Sequence, residues 1–276
     1  MRSEVTTVQK IQEVSALLTI PHSRIIAGGT TFPQDAEEGL QLVDISGLEG
    51  LDSIKQKGTR IELGPLTTLN AIAESALLQT YAPALAASAE AAAPAIRERG
   101  TLGGNLASIW IGDCAVALMA SGAKLTIKTG SDFREILIDK FWPSGGGNDL
   151  DYDEWITRVS IPVPREPLWG DAFGRIGSWD EVRTPAAAAA VRLMIDTAGR
   201  VTSVRGGIRI GLENIRRMFP LEKALKNQPF TEENREKAVR MMVSGIRNEM
   251  NEEELSDMLN DLLGDAFSMA EERRSL

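Results

Sequence analysis

The chain has 276 residues, 43% hydrophobic and 25% charged, with a formal net charge of −9. That length and composition suit one large domain or two modest ones with a buried core. The acidic balance argues against a nucleic-acid partner, no apolar run reaches bilayer length, and the polar stretch Met1–Ile20 is unlike a signal peptide, so a cytoplasmic protein without a membrane span is expected.

In chain order, Ile11, Val14, Leu17 and Leu18 space an amphipathic helix over 8–19, ended by Pro21. Arg24–Ala27 reads as a strand running into Ala27-Gly28-Gly29-Thr30-Thr31-Phe32, and Gln41–Ile45 as another strand. Ser53-Ile54 and Arg60–Gly64 suggest a hairpin around Lys57-Gly58. Thr67 or Thr68 caps a helix through Ile72 and Leu77. The alanine-dense 82–96 predicts helix, with Pro83 in its first turn and Pro94 limiting its far end. A second glycine segment follows, Gly100-Thr101-Leu102-Gly103-Gly104-Asn105-Leu106, then a helix over Asp113–Ala120 and a strand over Lys124–Lys128. Ser144–Asn148 is a glycine loop, and Ile156–Ile161 a strand closed by Pro162-Val163-Pro164, which marks a domain boundary. Ala186–Met194 and Val201–Ile210 flank a Thr197–Arg200 turn; by propensity alone the alanine run 186–190 fits helix as well as strand. From Thr231 the chain is helical and acidic, with twelve acidic against six basic side chains, a pattern that suits a solvated helical face.

Chemistry is scarce in the side chains. One cysteine, Cys114, permits no intrachain disulfide and cannot supply the four thiolates of an iron–sulfur cluster. The one histidine, His22, lies in a Pro-His-Ser turn and reads as a surface residue, so no zinc site is expected. No catalytic side chain is assigned, and a bound cofactor is expected to carry any reaction. The two glycine segments are the candidates to hold it. Glycine lets backbone N–H groups approach a bulky anion, and successive N–H groups in such a turn form an anion-binding concavity. Two concavities suit one diphosphate gripped from two sides. No G-x-G-x-x-G opens a βαβ unit and no lysine follows a G-x-x-x-x-G, so neither a Rossmann nor a P-loop site is supported.

At these residues the chain resembles the FAD-binding subunits of molybdenum hydroxylases, the group of xanthine, carbon monoxide and nicotinate dehydrogenases. The family pattern AGGTDL meets AGGTTF here, and IRNxGTIGGNI meets Ile96-Arg97-Glu98-Arg99-Gly100 followed by TLGGNL. The resemblance covers most of 8–225. It implies an α+β fold: a two-lobed, PCMH-type FAD module over 1–165, with lobes of about 1–54 and 55–165, then a small antiparallel sheet with helices over 170–276. It favours strand for the alanine run. It assigns FAD to Ala27, Gly28, Gly29, Thr30 and Thr31 on one side and to Thr101, Gly103, Gly104 and Asn105 on the other.

Asp113 matches a family aspartate that bonds the ribityl or isoalloxazine region; a helix N-cap is its other reading. Ile156, in a stretch similar to EILTEIxIP, matches a residue whose backbone touches the cofactor, or else is an ordinary buried strand residue. Arg175 in Ala172-Phe173-Gly174-Arg175 stands where the family has a lysine near the flavin, and Ser178-Trp179 replace the basic pair that usually follows. Arg205-Gly206-Gly207 and Ile215-Arg216-Arg217 through Glu222 and Leu225 resemble structural motifs of the same family. The implied role is electron transfer, from [2Fe–2S] clusters on one partner chain, fed by a molybdopterin-binding large subunit, through FAD to NAD+ or another acceptor. A stand-alone flavin reductase of similar fold, or a scaffold subunit without cofactor, are the competing readings.

Overall fold

The computed structural model describes residues 4–30, 39–108, 112–143, 147–177, 187–211, 214–246 and 250–275. Three separate sheets organise them, mixed with helices in an α+β architecture as the sequence implied. The first sheet is parallel, in the order β1-β3-β2, from β1 (Glu4–Thr7), β2 (Ser23–Ile26) and β3 (Gln41–Asp44). Helix α1 (Ile11–Leu18) covers it with Val14 and Leu18, and these pack with Val43. Strand β1 was not expected; its four residues are mostly exposed and carry no apolar periodicity.

The second sheet is antiparallel and has five strands: β4 (Ile54–Lys57), β5 (Arg60–Leu63), β6 (Lys124–Thr129), β7 (Asp132–Leu137) and β8 (Trp155–Pro162), ordered β4-β5-β8-β6-β7. The expected hairpin is β4–β5. Between β5 and β6 the described residues form six helices. The one expected after Thr68 is two, α2 (Leu69–Glu74) and α3 (Ala76–Tyr81). Ser75 ends the first and caps the second, its Oγ accepting from Leu78 N–H. The alanine-rich stretch likewise divides into α4 (Pro83–Glu90) and α5 (Pro94–Arg97). Pro94 opens a new helix rather than closing the old one, because a first-turn position needs no N–H. Then come α6 (Leu102–Ala107) and α7 (Cys114–Ser121).

The third sheet is antiparallel in the order β12-β11-β10-β9, from β9 (Trp169–Ile176), β10 (Ala187–Ile195), β11 (Val201–Ile210) and β12 (Asn214–Arg217). Helices α8 (Phe219–Leu225), α9 (Glu232–Val243) and α10 (Glu252–Glu272) complete this part. The alanine run is strand. Ala188 and Ala190 face the core of the second sheet, while Ala187, Ala189 and Val191 face the core under α8–α10. A strand buried on both faces between close-packed layers has room only for small side chains, and that packing overrides helix propensity.

Two joints tie the parts together. Helix α7 is buried along its whole length between the second and third sheets. Its backbone lies so near β11 that a Cβ at Gly207 would sit 2.6 Å from the Val116 carbonyl oxygen. The second joint is ionic. Arg192 of β10 and Asp171 of β9, both almost fully buried, pair at 2.5 Å. Asp171 also accepts from the Ala84 N–H at the start of α4, and Arg192 donates to the Tyr81 and Pro162 carbonyls. Finally, Trp155 of β8 leaves the second sheet to fill the core of the first, against Val14, Leu18, Val43 and Leu66.

Candidate functional site

The first glycine segment is the turn that follows β2, with Gly29 at φ 68°. The second lies at the N-terminus of α6. The structure brings the two into backbone contact: a Cβ added at Gly28 would overlap the Arg99 carbonyl, so only glycine fits there. The Arg99 guanidinium reaches back over the first turn, its Nη2 standing 3.5 Å from where a Cβ of Gly29 would be. Thr31 and Phe32 lie outside the described residues.

The two segments differ in what they offer an anion. Among the described residues, nothing accepts a hydrogen bond from the backbone N–H groups of Gly28, Gly29 or Thr30. The second segment is a capped helix start rather than an open turn. Thr101 is the N-cap of α6, its Oγ1 accepting from Gly104 N–H at 3.2 Å. The Leu102 and Gly103 N–H groups donate to the Thr67 and Pro65 carbonyls at 2.9 and 2.8 Å. Gly103 is glycine because Pro65 is close: a Cβ there would stand 3.0 Å from the proline ring. The polar atoms left over on this side are side-chain ones. Asn105 Oδ1 and Thr67 Oγ1 are buried without a hydrogen-bond partner.

Asp113 sits at the N-cap position of α7 but makes no capping bond. Its carboxylate turns to two arginines of the third sheet. Oδ1 pairs with Arg209 Nη2 at 2.8 Å, and Arg175 Nη1 lies 3.6 Å from Oδ2. Arg209 is wholly buried and also donates to the Gly211 carbonyl. Arg175, partly exposed, donates to the Ala91 carbonyl at 2.5 Å, in the turn that leads to α5 and the second glycine segment. Asp113 Oδ2 is buried with no hydrogen bond. Arg175 and Asp113, nominated separately from the sequence, therefore belong to one cluster beside the second segment.

Ile156 stands apart from that cluster. It pairs with Ile127 across the second sheet, and its side chain is buried in that sheet's core. Ser178, Trp179 and Ala186 lie outside the described residues, as do Ser144–Gly146. Gly206, Arg217 and Glu222 form a structural clasp: Glu222 Oε1 accepts from Gly206 N–H and from Arg217 Nε, and Arg217 also pairs with Asp139 at 3.2 Å. His22 is an exposed turn residue at φ 64°. Cys114 is buried, and burial pushes its thiol up to about 12. Among the described residues no His, Cys, Asp and Glu cluster suits a metal, and no helix is long and apolar enough to cross a membrane.

Arg99 and Arg209 escaped the sequence reading. Arg99 occupies a variable position of the IRNxGT pattern, and Arg209 lies within β11 with nothing local to reveal its partner 96 residues away. Together the residues fit an extended diphosphate cofactor. The N–H groups of Gly28, Gly29 and Thr30 have no acceptor among the described residues, the Arg99 guanidinium lies over that turn, and Asn105 Oδ1 and Asp113 Oδ2 are buried without a hydrogen bond.

Residues 1–164 match the family described as FAD binding domain in molybdopterin dehydrogenase. The chain is 30% identical over 233 residues to the nicotine 6-hydroxylase medium subunit of Paenarthrobacter nicotinovorans, an alignment spanning 80% of this chain and 79% of that one. It is 27% identical over 194 residues to the nicotinate dehydrogenase FAD-subunit of Eubacterium barkeri, spanning 66% and 65% of the two. A solved structure of carbon monoxide dehydrogenase from Hydrogenophaga pseudoflava, lacking the Mo-pyranopterin moiety, shares the fold with a TM-score of 0.86 at 22% identity, over 99% of this chain and 98% of that one. With a family match over more than half its length and a medium subunit at 30% identity, the chain belongs to the family of FAD-binding domains of molybdopterin dehydrogenases.

Proposed function

We propose that this chain is the FAD-carrying electron-transfer subunit of a molybdenum hydroxylase. It takes electrons from [2Fe–2S] clusters on a partner chain and passes them to NAD+ or another acceptor. Residues 1–165 form the flavin module in this reading, and residues 170–276 the part that closes over it. The observation that carries the proposal is the seam between the two glycine segments, with the unengaged N–H groups of Gly28, Gly29 and Thr30 beside it.

FAD supplies the redox chemistry when bound; the side chains here hold and orient it. Ala27 and the N–H groups of Gly28, Gly29 and Thr30 take one face of the diphosphate, the side to which the family resemblance also assigns Thr31. Thr101, Gly103 and Gly104 build the facing wall as a tightly packed helix start, and Asn105 Oδ1 accepts from the sugar or ribityl hydroxyls. Asp113, held by Arg209, presents its second oxygen toward the ribityl or ring. Arg175 places a permanent cation on the same side, where a lysine would have brought a compact, rotatable one. Ile156 offers backbone only. The buried thiol of Cys114 takes no part.

The test is a visible absorption spectrum of the purified chain, followed by heat release and chromatography of the cofactor. About one FAD per chain is expected, and the native chain is expected to co-purify with molybdenum- and iron–sulfur-bearing partners. A colourless chain that stays flavin-free with excess FAD, while still binding its partners, would overturn the reading in favour of a scaffold.

A further inference from the structure

We propose that Arg99 is the cationic clamp of the diphosphate site, a role that rests on the FAD reading above. The second glycine segment is a poor anion binder through its backbone: the N–H groups of Leu102, Gly103 and Gly104 are all engaged within the protein. What this side brings to the seam is Arg99. Its carbonyl packs on Gly28, and its guanidinium Nη2 lies 3.5 Å from the Cβ position of Gly29, against the turn whose N–H groups have no acceptor.

Its neighbours explain why the role falls to this residue. Arg175 and Arg209 share the carboxylate of Asp113, and Arg97 donates to the Glu90 carbonyl. Arg99 makes no hydrogen bond or ion pair with any described residue, although the chain carries nine more negative than positive charges. A long, rotamer-rich side chain without a partner among the described residues is available to a ligand, and a guanidinium presents a planar fork of donors that matches phosphate oxygens. The diphosphate carries about two negative charges, which the neutral N–H groups of the first turn solvate but do not neutralise. Arg99 thus closes the site from the opposite lobe, across segments that already touch.

The experiment is equilibrium binding of FAD, and separately of riboflavin, to the full-length chain stripped of flavin, for wild type, Arg99→Lys, Arg99→Gln and Arg99→Glu. Loss of one charge-assisted contact predicts about a tenfold weaker FAD affinity in Arg99→Gln and a larger loss in Arg99→Glu, with partial recovery in Arg99→Lys. Riboflavin, which has no phosphate, is expected to bind all four alike. The FAD affinity of Arg99→Gln is also expected to depend less steeply on salt than that of wild type. Because the Arg99 side chain has no partner among the described residues, the thermal unfolding of the flavin-free variants should match wild type. If Arg99→Gln binds FAD as wild type does, with the same salt dependence, the clamp is wrong while the flavin site stands. If riboflavin and FAD weaken equally, the role is structural and the clamp is also wrong. If wild type binds no FAD, the function proposed above fails, and the clamp with it.

Discussion

Replacing Asp113 by asparagine is the sharpest test of how the third sheet holds the cofactor module. Asp113 and Arg209 are 3% and 0% exposed at their side chains and pair at 2.8 Å, so water reaches neither. Asparagine keeps the shape and one acceptor but leaves the Arg209 charge buried and uncompensated. Breaking such a pair on one side costs about 3–5 kcal/mol, and the retained carbonyl places this change near the lower end, about 3 kcal/mol. In a chain of this size each kcal/mol moves the melting temperature by about 2–4 °C, so a drop of about 6–12 °C is expected. Calorimetry and urea unfolding of the flavin-free chain measure it. Two companions sharpen the result. Replacing both partners, Asp113→Asn with Arg209→Met, should recover most of the loss, since the fully buried charge is gone and Arg175, the other cation beside Asp113, is partly exposed. Arg175→Met should cost only about 1 kcal/mol, because that side chain is partly exposed and stands 3.6 Å away. A single Asp113→Asn variant within about 1 kcal/mol of wild type would refute the reasoning, as would a double variant no better than the single one.

The seam predicts that Gly28→Ala forces the Arg99 carbonyl to retreat by about 1 Å or more to restore van der Waals separation; loss of FAD retention with a melting temperature lower by a few degrees is expected, and full flavin occupancy would disprove the contact. The Arg134 guanidinium, bonding both Glu154 oxygens at 2.7 Å, holds that carboxyl below its ordinary 4.5. A depressed carboxylate stabilises the fold above the unfolded value and loses that contribution as pH falls through the folded one. Unfolding midpoints between about pH 5 and pH 3 should therefore fall more steeply for wild type than for Arg134→Gln, and parallel curves would contradict this. Cys114, with its thiol raised to about 12, should resist alkylation at about pH 8 in the native chain and react only on unfolding, which mass spectrometry with and without urea would resolve.

What the sequence revealed and what it hid divide along physical lines. The glycine segments were legible because a backbone that must touch another backbone leaves no choice of residue, as at Gly28. The same glycines misled about local structure. Gly103-Gly104 read as an open turn, yet the Thr101 cap and the carbonyls of Pro65 and Thr67 make a helix of them. The alanine run was ambiguous because helix propensity and burial on two faces point opposite ways, and only the position of α7 and α10 on either side of β10 decides. Strand β7 was missed because Phe133 and Leu137 are its exposed side chains, an inversion of the usual alternation. Strand β9 was missed because it carries two glycines and the buried Asp171. Buried ion pairs such as Arg192–Asp171 and Arg209–Asp113 are invisible in one sequence, since each joins segments that only the tertiary fold brings together.

Trp155 gives the molecule an order of assembly. The first sheet is written in residues 4–44, but its core stays open until an indole from about 110 residues further on arrives to cover Val14, Leu18 and Val43. Closing so long a loop costs entropy before any contact offsets it, so this joint forms late. During synthesis the second sheet must complete its central strand β8 before the core of the first sheet can close. A nascent chain cut anywhere before residue 155 would carry the glycines of the first segment without the scaffold that aims them.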